Sequence, residues 1–246
     1  MATDRISRPT LIKLGKYDTP TICNVIELFG VRPRSAGYMN QQIMAAFPEM
    51  PPMVGFAATA KFCSSQASAT GDAYATVEQQ LTQLAALPGP AVVVFQDVDV
   101  PSVGATFGEV MCSGYQGFGS VGLITSGGGR DLEQVRALRY PVFTGSTICS
   151  HAYFQITDVA AEVEVGGLIV QSGDLLHGDA NGVTSIPLEI AGEVADVADA
   201  YIAAETQAIE YAKQPGDKDI ATMVELRRAM GNDIDALRRK VSRGSQ

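Results

Sequence analysis

Glu109 and the pair Arg130-Asp131 are separated by twenty residues, with Gly108 before the acid and Gly127-Gly128-Gly129 before the pair. Two carboxylates beside a guanidinium suit a hard divalent cation together with an anionic substrate. The carboxylates take the metal, and the planar fork of the arginine takes a carboxylate or an oxyanion. A helix-like segment from Phe107 to Gly119 and a short apolar run from Val121 to Thr125 fill the interval. Glu109 then stands at a helix start and Arg130-Asp131 just past a strand end. Both lie on the edge of an α/β sheet where strand carboxyl ends release their loops and where ligands bind.

Each of these residues also has a purely structural reading. Asp131 can be the N-cap of the helix that follows, Glu109 a first-turn acid that complements the helix dipole, and Arg130 a surface arginine paired with either. Other polar positions carry less. Gly127-Gly128-Gly129 lacks both the dinucleotide spacing and the P-loop lysine and is read as a tight glycine turn. Gly114, Gly117 and Gly119 close a helix. Asp174 and Asp179 flank His177 as turn-forming residues rather than as a second metal site. His151 is read as a core or loop histidine. Lys61 lies in a strand-like run with nothing nearby to lower its pKa, so it is not expected to form a Schiff base.

The elements that must position the cluster follow from local pattern. Asp18 to Gly30 reads as a helix with Thr19 as cap, Pro20 in its first turn and Gly30 at its end. Val31 to Pro52 is loop-like, with five prolines and glycines as punctuation. Val54–Cys63 and Ala91–Phe95 read as strands, and Asp72–Leu87 as a helix stopped by Pro88-Gly89-Pro90. Gln96–Thr106 is a loop. Leu132, Val135 and Leu138 give a short helix, and Tyr140–Phe143 enters a strand. Alternating valines and turn signals at Gly166-Gly167, Gly173-Asp174 and Asn181-Gly182 make residues 160–187 a compact β segment. From Leu188 the chain is helical, broken at Pro215-Gly216, with a second helix from about Asp219 to Met230.

The whole-chain properties narrow the function classes. At 246 residues with 46% hydrophobic content, a sizeable core is available. A net charge of −9 argues against a nucleic-acid partner. No run of about eighteen apolar residues exists, so no membrane span is expected, and the first residues, Met1 to Arg5, show no apolar h-region. The four cysteines are widely spaced and the two histidines far apart. Buried free thiols in a reducing, cytoplasmic setting are expected, and a histidine-rich zinc site is disfavoured.

The combination Gly108-Glu109, twenty residues, Arg130-Asp131, then Leu132-x-x-Val135-x-x-Leu138-x-Tyr140-Pro141-Val142-Phe143, and finally the run from Gly173 to Val183, resembles the RraA-like family. That family includes class II 4-hydroxy-4-methyl-2-oxoglutarate aldolases and the regulator of ribonuclease activity A. The resemblance runs from about Thr19 to Pro187 and is most specific between Gly71 and Gly182. It implies a layered α/β/β/α sandwich related to the swivelling phosphohistidine domain. Residues 1–187 would form the α/β domain, and residues 188–246 a helical C-terminal arm that packs on a neighbour in a homotrimer or hexamer.

The resemblance also implies roles. Asp131 would bind Mg²⁺ or Mn²⁺ directly, and Glu109 would hold it through water. The family's pattern has aspartate where Glu109 stands, so the charge is kept and the reach is one methylene longer. Arg130 would contact the small anionic 2-oxo acid and its developing enolate. The backbone amides of Gly108, Val110 and Met111 would cradle the substrate carboxylate, as free N–H groups at a helix amino terminus do for anions. A glutamate from the neighbouring tail would complete the site, with Glu205 the choice and Glu210 the second candidate. The implied reaction is a metal-dependent retro-aldol cleavage of a 4-hydroxy-2-oxo diacid to pyruvate and a second oxo compound. Oxaloacetate decarboxylation would pass through the same enolate. Two rival readings are a regulator that masks another macromolecule, as the ribonuclease-regulator branch does, and a methyltransferase of the kind named for demethylmenaquinone. The second lacks support here, because no glycine-rich nucleoside loop with a following ribose-binding acid is found.

Overall fold

The computed structural model describes residues 6–68 and 76–243. Two short helices open the chain, α1 (Arg8–Leu14) and α2 (Thr19–Phe29). Asp18, not Thr19, caps α2: its carboxylate accepts from the Thr21 amide at 2.8 Å. Thr19 is the first helical residue, Pro20 sits in the first turn, and Gly30 ends the helix in the left-handed region (φ 65°). The loop-like stretch that follows contains one two-residue strand, β1 (Met44–Ala45).

The sheet is built from apolar runs. Its long members are β2 (Met53–Cys63), β3 (Ala91–Asp97), β5 (Ser120–Gly129) and β6 (Val142–Thr147), with the short β4 (Ala105–Phe107) lying beyond the end of β3. The helices between them are α3 (Val77–Ala86), α4 (Glu109–Gly117) and α5 (Leu132–Ala137). The start expected for α3 at Asp72 lies outside the described residues. Strands β2, β3, β5 and β6 pair in parallel, and β4 adds to β5 in the same sense. β7 (Gln155–Thr157), β10 (Leu175–Asp179) and β11 (Gly182–Ile186) complete the mixed sheet. β7 and β10 both pair antiparallel with β2, and β11 closes the hairpin with β10. The order is β1-β6-β5-β3-β2-β10-β11.

Both faces of the parallel strands are covered, as their near-continuous apolar runs require. Ala58, Ala60, Phe62, Val93, Phe95 and Leu123 pack against Leu84 of α3, Cys112 and Tyr115 of α4, and Val135 of α5. The alternate residues Ala57, Val92, Val94 and Ile124 pack under the hairpin of β8 (Val163–Val165) and β9 (Leu168–Val170), which is the second β layer. A third cluster joins α1 and α2 to Phe56, Leu175 and Ile186.

The helical arm is present. After a 3₁₀ turn at Leu188–Ile190 come α6 (Ala191–Lys213) and α7 (Ile220–Val241). The first half of the α6 stripe finds its partner inside the chain: Val194, Ala195, Ala198 and Tyr201 are buried against α1 and α2. The second half leaves Ile202 and Ile209 exposed. α7 runs well past Met230, because Ile234, Leu237 and Val241 pack back on the same cluster. Among the described residues, no helix is long and apolar enough to cross a membrane.

Candidate active site

The three glycines before Arg130 do not form a turn. They are the last residues of β5, and the ladder is irregular between Thr125 and Gly128. The reason is close approach rather than a reversal. A Cβ at Gly129 would stand 1.9 Å from the Phe107 ring, one at Gly128 would stand 2.7 Å from Ile148 Cγ1, and one at Gly127 would stand 2.5 Å from Thr106 Cγ2 and 2.7 Å from Asp97 Oδ2. The bare backbone lets β4 and the chain after β6 close on the strand. Buried threonines brace it. Thr106 Oγ1 donates to the Gly128 carbonyl at 2.9 Å, and Thr144 Oγ1 donates to the Gly127 carbonyl at 2.6 Å.

This bracing fixes the Arg130-Asp131 step. The Arg130 amide donates to the Phe107 carbonyl at 3.1 Å, which carries the pair over the end of β4 and onto the start of α4. Asp131 has a left-handed backbone (φ 55°, ψ 38°), a region that aspartate tolerates better than most residues. It precedes α5 but makes no side-chain cap bond to it. Its Oδ2 accepts from the Glu109 amide of α4 at 3.0 Å and lies 3.7 Å from Arg130 Nε. Gly108 makes this possible, since a Cβ there would stand 2.6 Å from the same Oδ2 and 3.2 Å from Arg130 Nε. Among the described residues, no other carboxylate pairs with Arg130.

The cluster is open to solvent on one side. Arg130 and Asp131 are half-buried, the Glu109 and Val110 side chains are exposed, and Gly108 is buried at the N-cap. Val110 and Met111 belong to the first turn of α4, where amides have no intrahelical acceptor. Cys112 lies beneath them, buried. Burial, with the Asp131 charge adding to it, pushes its thiol up to about 12. It is therefore a packing residue and not a nucleophile.

Among the described residues, no group of three or more His, Cys, Asp or Glu side chains is arranged to hold a metal. The donors at this edge are two carboxylates, Asp131 and Glu109. Oxygen donors that are few and reachable by water fit a hard cation that keeps much of its hydration shell. They do not fit a closed structural zinc site.

The remaining candidates lie elsewhere. Glu205 stands in the groove between α6 and α7 with Ala208, Met223 and Arg227, next to Tyr201, so one chain alone keeps it with the arm. Glu210 is exposed and pairs with Lys213 at 3.5 Å. Lys61 faces Asp158 at 3.8 Å. His151 is exposed in a loop, with Nδ1 2.8 Å from the Ala152 carbonyl. His177 is buried between Thr19 Oγ1 at 2.9 Å and the Leu14 carbonyl at 3.2 Å. Asp179 accepts from the amides of Thr19 and Asn181, and Asp174 from that of Gln171, so both serve turns and caps. The cysteines are free, but only Cys112 is buried; Cys23 and Cys63 are half-buried and Cys149 is exposed. Thiols on exposed or loop backbone were not to be told from core thiols by small neighbours alone.

One acid on the neighbouring strand β3 has no counterpart among the sequence-derived candidates. Asp97 ends β3, is buried, and leaves Oδ2 without a hydrogen-bond partner. Burial raises its pKa. An acid closing the apolar run Ala91–Phe95 was the available signal.

Comparison with known proteins places this geometry in context. The RraA-like family, described as Aldolase/RraA, matches residues 19–184, a span that includes all of β2 to β10 and the whole Gly108–Asp131 cluster. A protein of Halalkalibacterium halodurans named "Putative 4-hydroxy-4-methyl-2-oxoglutarate aldolase" is 32% identical over 103 residues, which is 42% of this chain and 48% of that protein. An uncharacterized protein of Methanocaldococcus jannaschii is 35% identical over 75 residues, 30% of this chain and 36% of its own length. The chain thus spans half or less of the curated relatives it matches. Among solved structures, an uncharacterized protein from Pseudomonas syringae pv. tomato superposes with a TM-score of 0.70 at 22% identity, covering 94% of this chain and 97% of the other. Streptomyces coelicolor RraAS2, described as an unusual member of the RNase ES inhibitor RraA family, gives 0.65 at 20% identity, covering 86% and 99%. At these identities the two structures speak to the fold alone.

Proposed function

From the premise that the chain belongs to the RraA-like family, we propose that it is a divalent-cation-dependent aldolase that cleaves a 4-hydroxy-2-oxo diacid to pyruvate and a second oxo compound. The observation that carries the reading is the Asp131 carboxylate, bonded at 3.0 Å to the Glu109 amide at the start of α4, with Arg130 beside it. A carboxylate ligand, a guanidinium and free helix-start amides converge on one open edge. These are the groups that a 2-oxo acid and a hard cation require together.

The residues divide the work. Mg²⁺ or Mn²⁺, held by Asp131 directly and by Glu109 through water, would supply Lewis acidity to the 2-oxo carboxylate. The amides of Val110 and Met111 face the C1 carboxylate. Loss of the C4 hydroxyl proton turns C4–O into a carbonyl and breaks the C3–C4 bond. The electron pair moves into the C2–C3 enolate, and a proton delivered to C3 completes pyruvate. Arg130 holds the enolate oxygen, where negative charge grows as the bond breaks. Decarboxylation of oxaloacetate leaves the same enolate and belongs to the same site.

The arm completes the proposal. Ile202, Ile209, Ile220 and Val224 are exposed on α6 and α7, and an apolar stripe needs a partner. A neighbouring copy in a trimer or hexamer supplies one, and Glu205 then serves the neighbour's Arg130-Asp131 edge. The test is pyruvate release from 4-hydroxy-4-methyl-2-oxoglutarate, from other 4-hydroxy-2-oxo acids and from oxaloacetate, with Mg²⁺ or Mn²⁺ and then with excess chelator. We expect release with cation and only background in chelator. Full release in chelator, or none from any of these acids, rejects the reading.

A further inference from the structure

At the opposite edge of the sheet, four strands away from β5, a cavity of about 320 Å³ opens between α2, the loop after it and β11. Its size falls at the lower end of small-molecule sites. Pro20, Ile26, Pro33, Tyr38, Met39 and Val183 give it mainly apolar walls. Arg32 lies in the wall and is half-buried.

The Arg32 guanidinium is held in place without being neutralised. Nη1 donates to the carbonyl and the hydroxyl of Ser185, both at 3.0 Å, and Nη2 donates to Thr184 Oγ1 at 3.2 Å. These acceptors carry no charge. Among the described residues, no carboxylate forms an ion pair with Arg32, whereas its neighbour Arg34 pairs with Glu27 at 3.4 Å on the rim. The backbone is shaped around the group. Gly37 has φ +92°, and a Cβ there would stand 2.0 Å from Arg32 Cζ. A guanidinium has five N–H donors, and the three bonds to Ser185 and Thr184 leave over the Nε–H and one Nη2–H. Burial penalises the cation and lowers its pKa. A preorganised, half-buried cation on the wall of an apolar cavity favours an anionic partner there.

We propose that this cavity binds a small monocarboxylic acid with an apolar body, its carboxylate on Arg32 and its body against Pro20, Ile26, Tyr38 and Val183. Glu27 on the rim and the chain's net charge of −9 disfavour ligands with a second negative charge. The site is independent of the Arg130-Asp131 edge, so the aldolase reading can fail while this one stands.

The test uses the full chain and hexanoate as the probe, followed by calorimetry, with hexan-1-ol and acetate as controls. Hexanoate should bind saturably, with a dissociation constant on the order of 1 mM. Hexan-1-ol, which lacks the charge, and acetate, which lacks the body, should each bind at least about tenfold more weakly. Arg32→Met should weaken hexanoate by about tenfold or more, and Arg130→Met should leave it unchanged. Cys23 lines the same cavity, so hexanoate should slow its alkylation while exposed Cys149 reacts at an unaltered rate. That protection, measured on the wild-type chain, decides the matter if Arg32→Met does not fold. Absence of saturable binding, unprotected Cys23 at high hexanoate, or binding that is lost with Arg130→Met and kept with Arg32→Met, overturns the proposal.

Discussion

Two clusters in this molecule are each built on an aspartate that accepts a helix-start amide, and they differ in what they leave open. In the first, His177, Asp179, Thr19 and the Leu14 carbonyl satisfy one another in the interior. Asp179 is also tied to the amide and side chain of Asn181. Burial would raise its pKa, yet the bonds from Thr19 and Asn181 hold it below the usual carboxylate range. The polar atoms of His177 and Asp179 are used on these internal partners. In the second cluster, Asp131 spends one oxygen on the Glu109 amide and stays half-buried beside Arg130, on an edge kept narrow by glycine. Acid residues mark both places in the sequence. What separates structure from chemistry is spare bonding capacity facing solvent.

The largest expected effect is on the open cluster. Asp131→Asn keeps an oxygen for the Glu109 amide but removes the anionic ligand. Pyruvate release should fall by on the order of 10²-fold or more, while the unfolding midpoint in urea stays near wild type. A variant that loses stability and activity in step would make Asp131 a structural cap like Asp179 and erase the contrast.

Glycine substitutions sharpen the same comparison. Gly129→Ala drives a methyl group into the Phe107 ring, and overpacking of this kind costs about 1–3 kcal/mol. Gly108→Ala instead meets the Asp131 carboxylate and the Arg130 side chain, partly exposed groups that can move. Thermal melts should therefore report mainly the first change and turnover mainly the second. Equal losses of stability from both would show that the Gly108 contact belongs to the core.

The smallest effect concerns the closed cluster. Burial lowers the His177 pKa, so the fold favours the neutral ring. An unfolded histidine takes up a proton near pH 6.5, and the folded one resists it until a lower pH. The unfolded state then binds more protons, and stability declines as pH falls from about 6.5 toward the folded value. Urea midpoints measured across that window should slope less in His177→Gln than in wild type. Identical slopes would mean that His177 is not held neutral.

Much of this arrangement was legible in advance, and the parts that were not share a cause. Apolar runs located β2, β3 and β5, and Pro20 and Gly30 located α2, because those signals are local. Val31–Pro52 and Gln96–Thr106 hid β1 and β4, two- and three-residue strands that exist only through pairing with β6 and β5. The glycine triplet looked like a turn because glycine usually serves turns, and its true role depends on Phe107, Thr106 and Ile148 arriving from elsewhere. α7 continues past Gly231 because Ile234, Leu237 and Val241 pack on the body, a tertiary contact that outweighs a local stop. At the site, the residue types and their spacing were readable. The Asp131–Glu109 bond and the left-handed turn that aims it were not, since both require β4 and β5 to lie side by side.

Whether Asp131 holds a cation for a 2-oxo acid is read most directly from the binding of oxalate, a planar mimic of the pyruvate enolate, to the wild-type chain and to Asp131→Asn, each titrated with and without Mn²⁺. Oxalate should bind wild type saturably only when Mn²⁺ is present, and that binding should be lost in Asp131→Asn. Equal oxalate affinity in the two proteins, or binding to wild type that ignores Mn²⁺, would rule out a metal-holding role for Asp131.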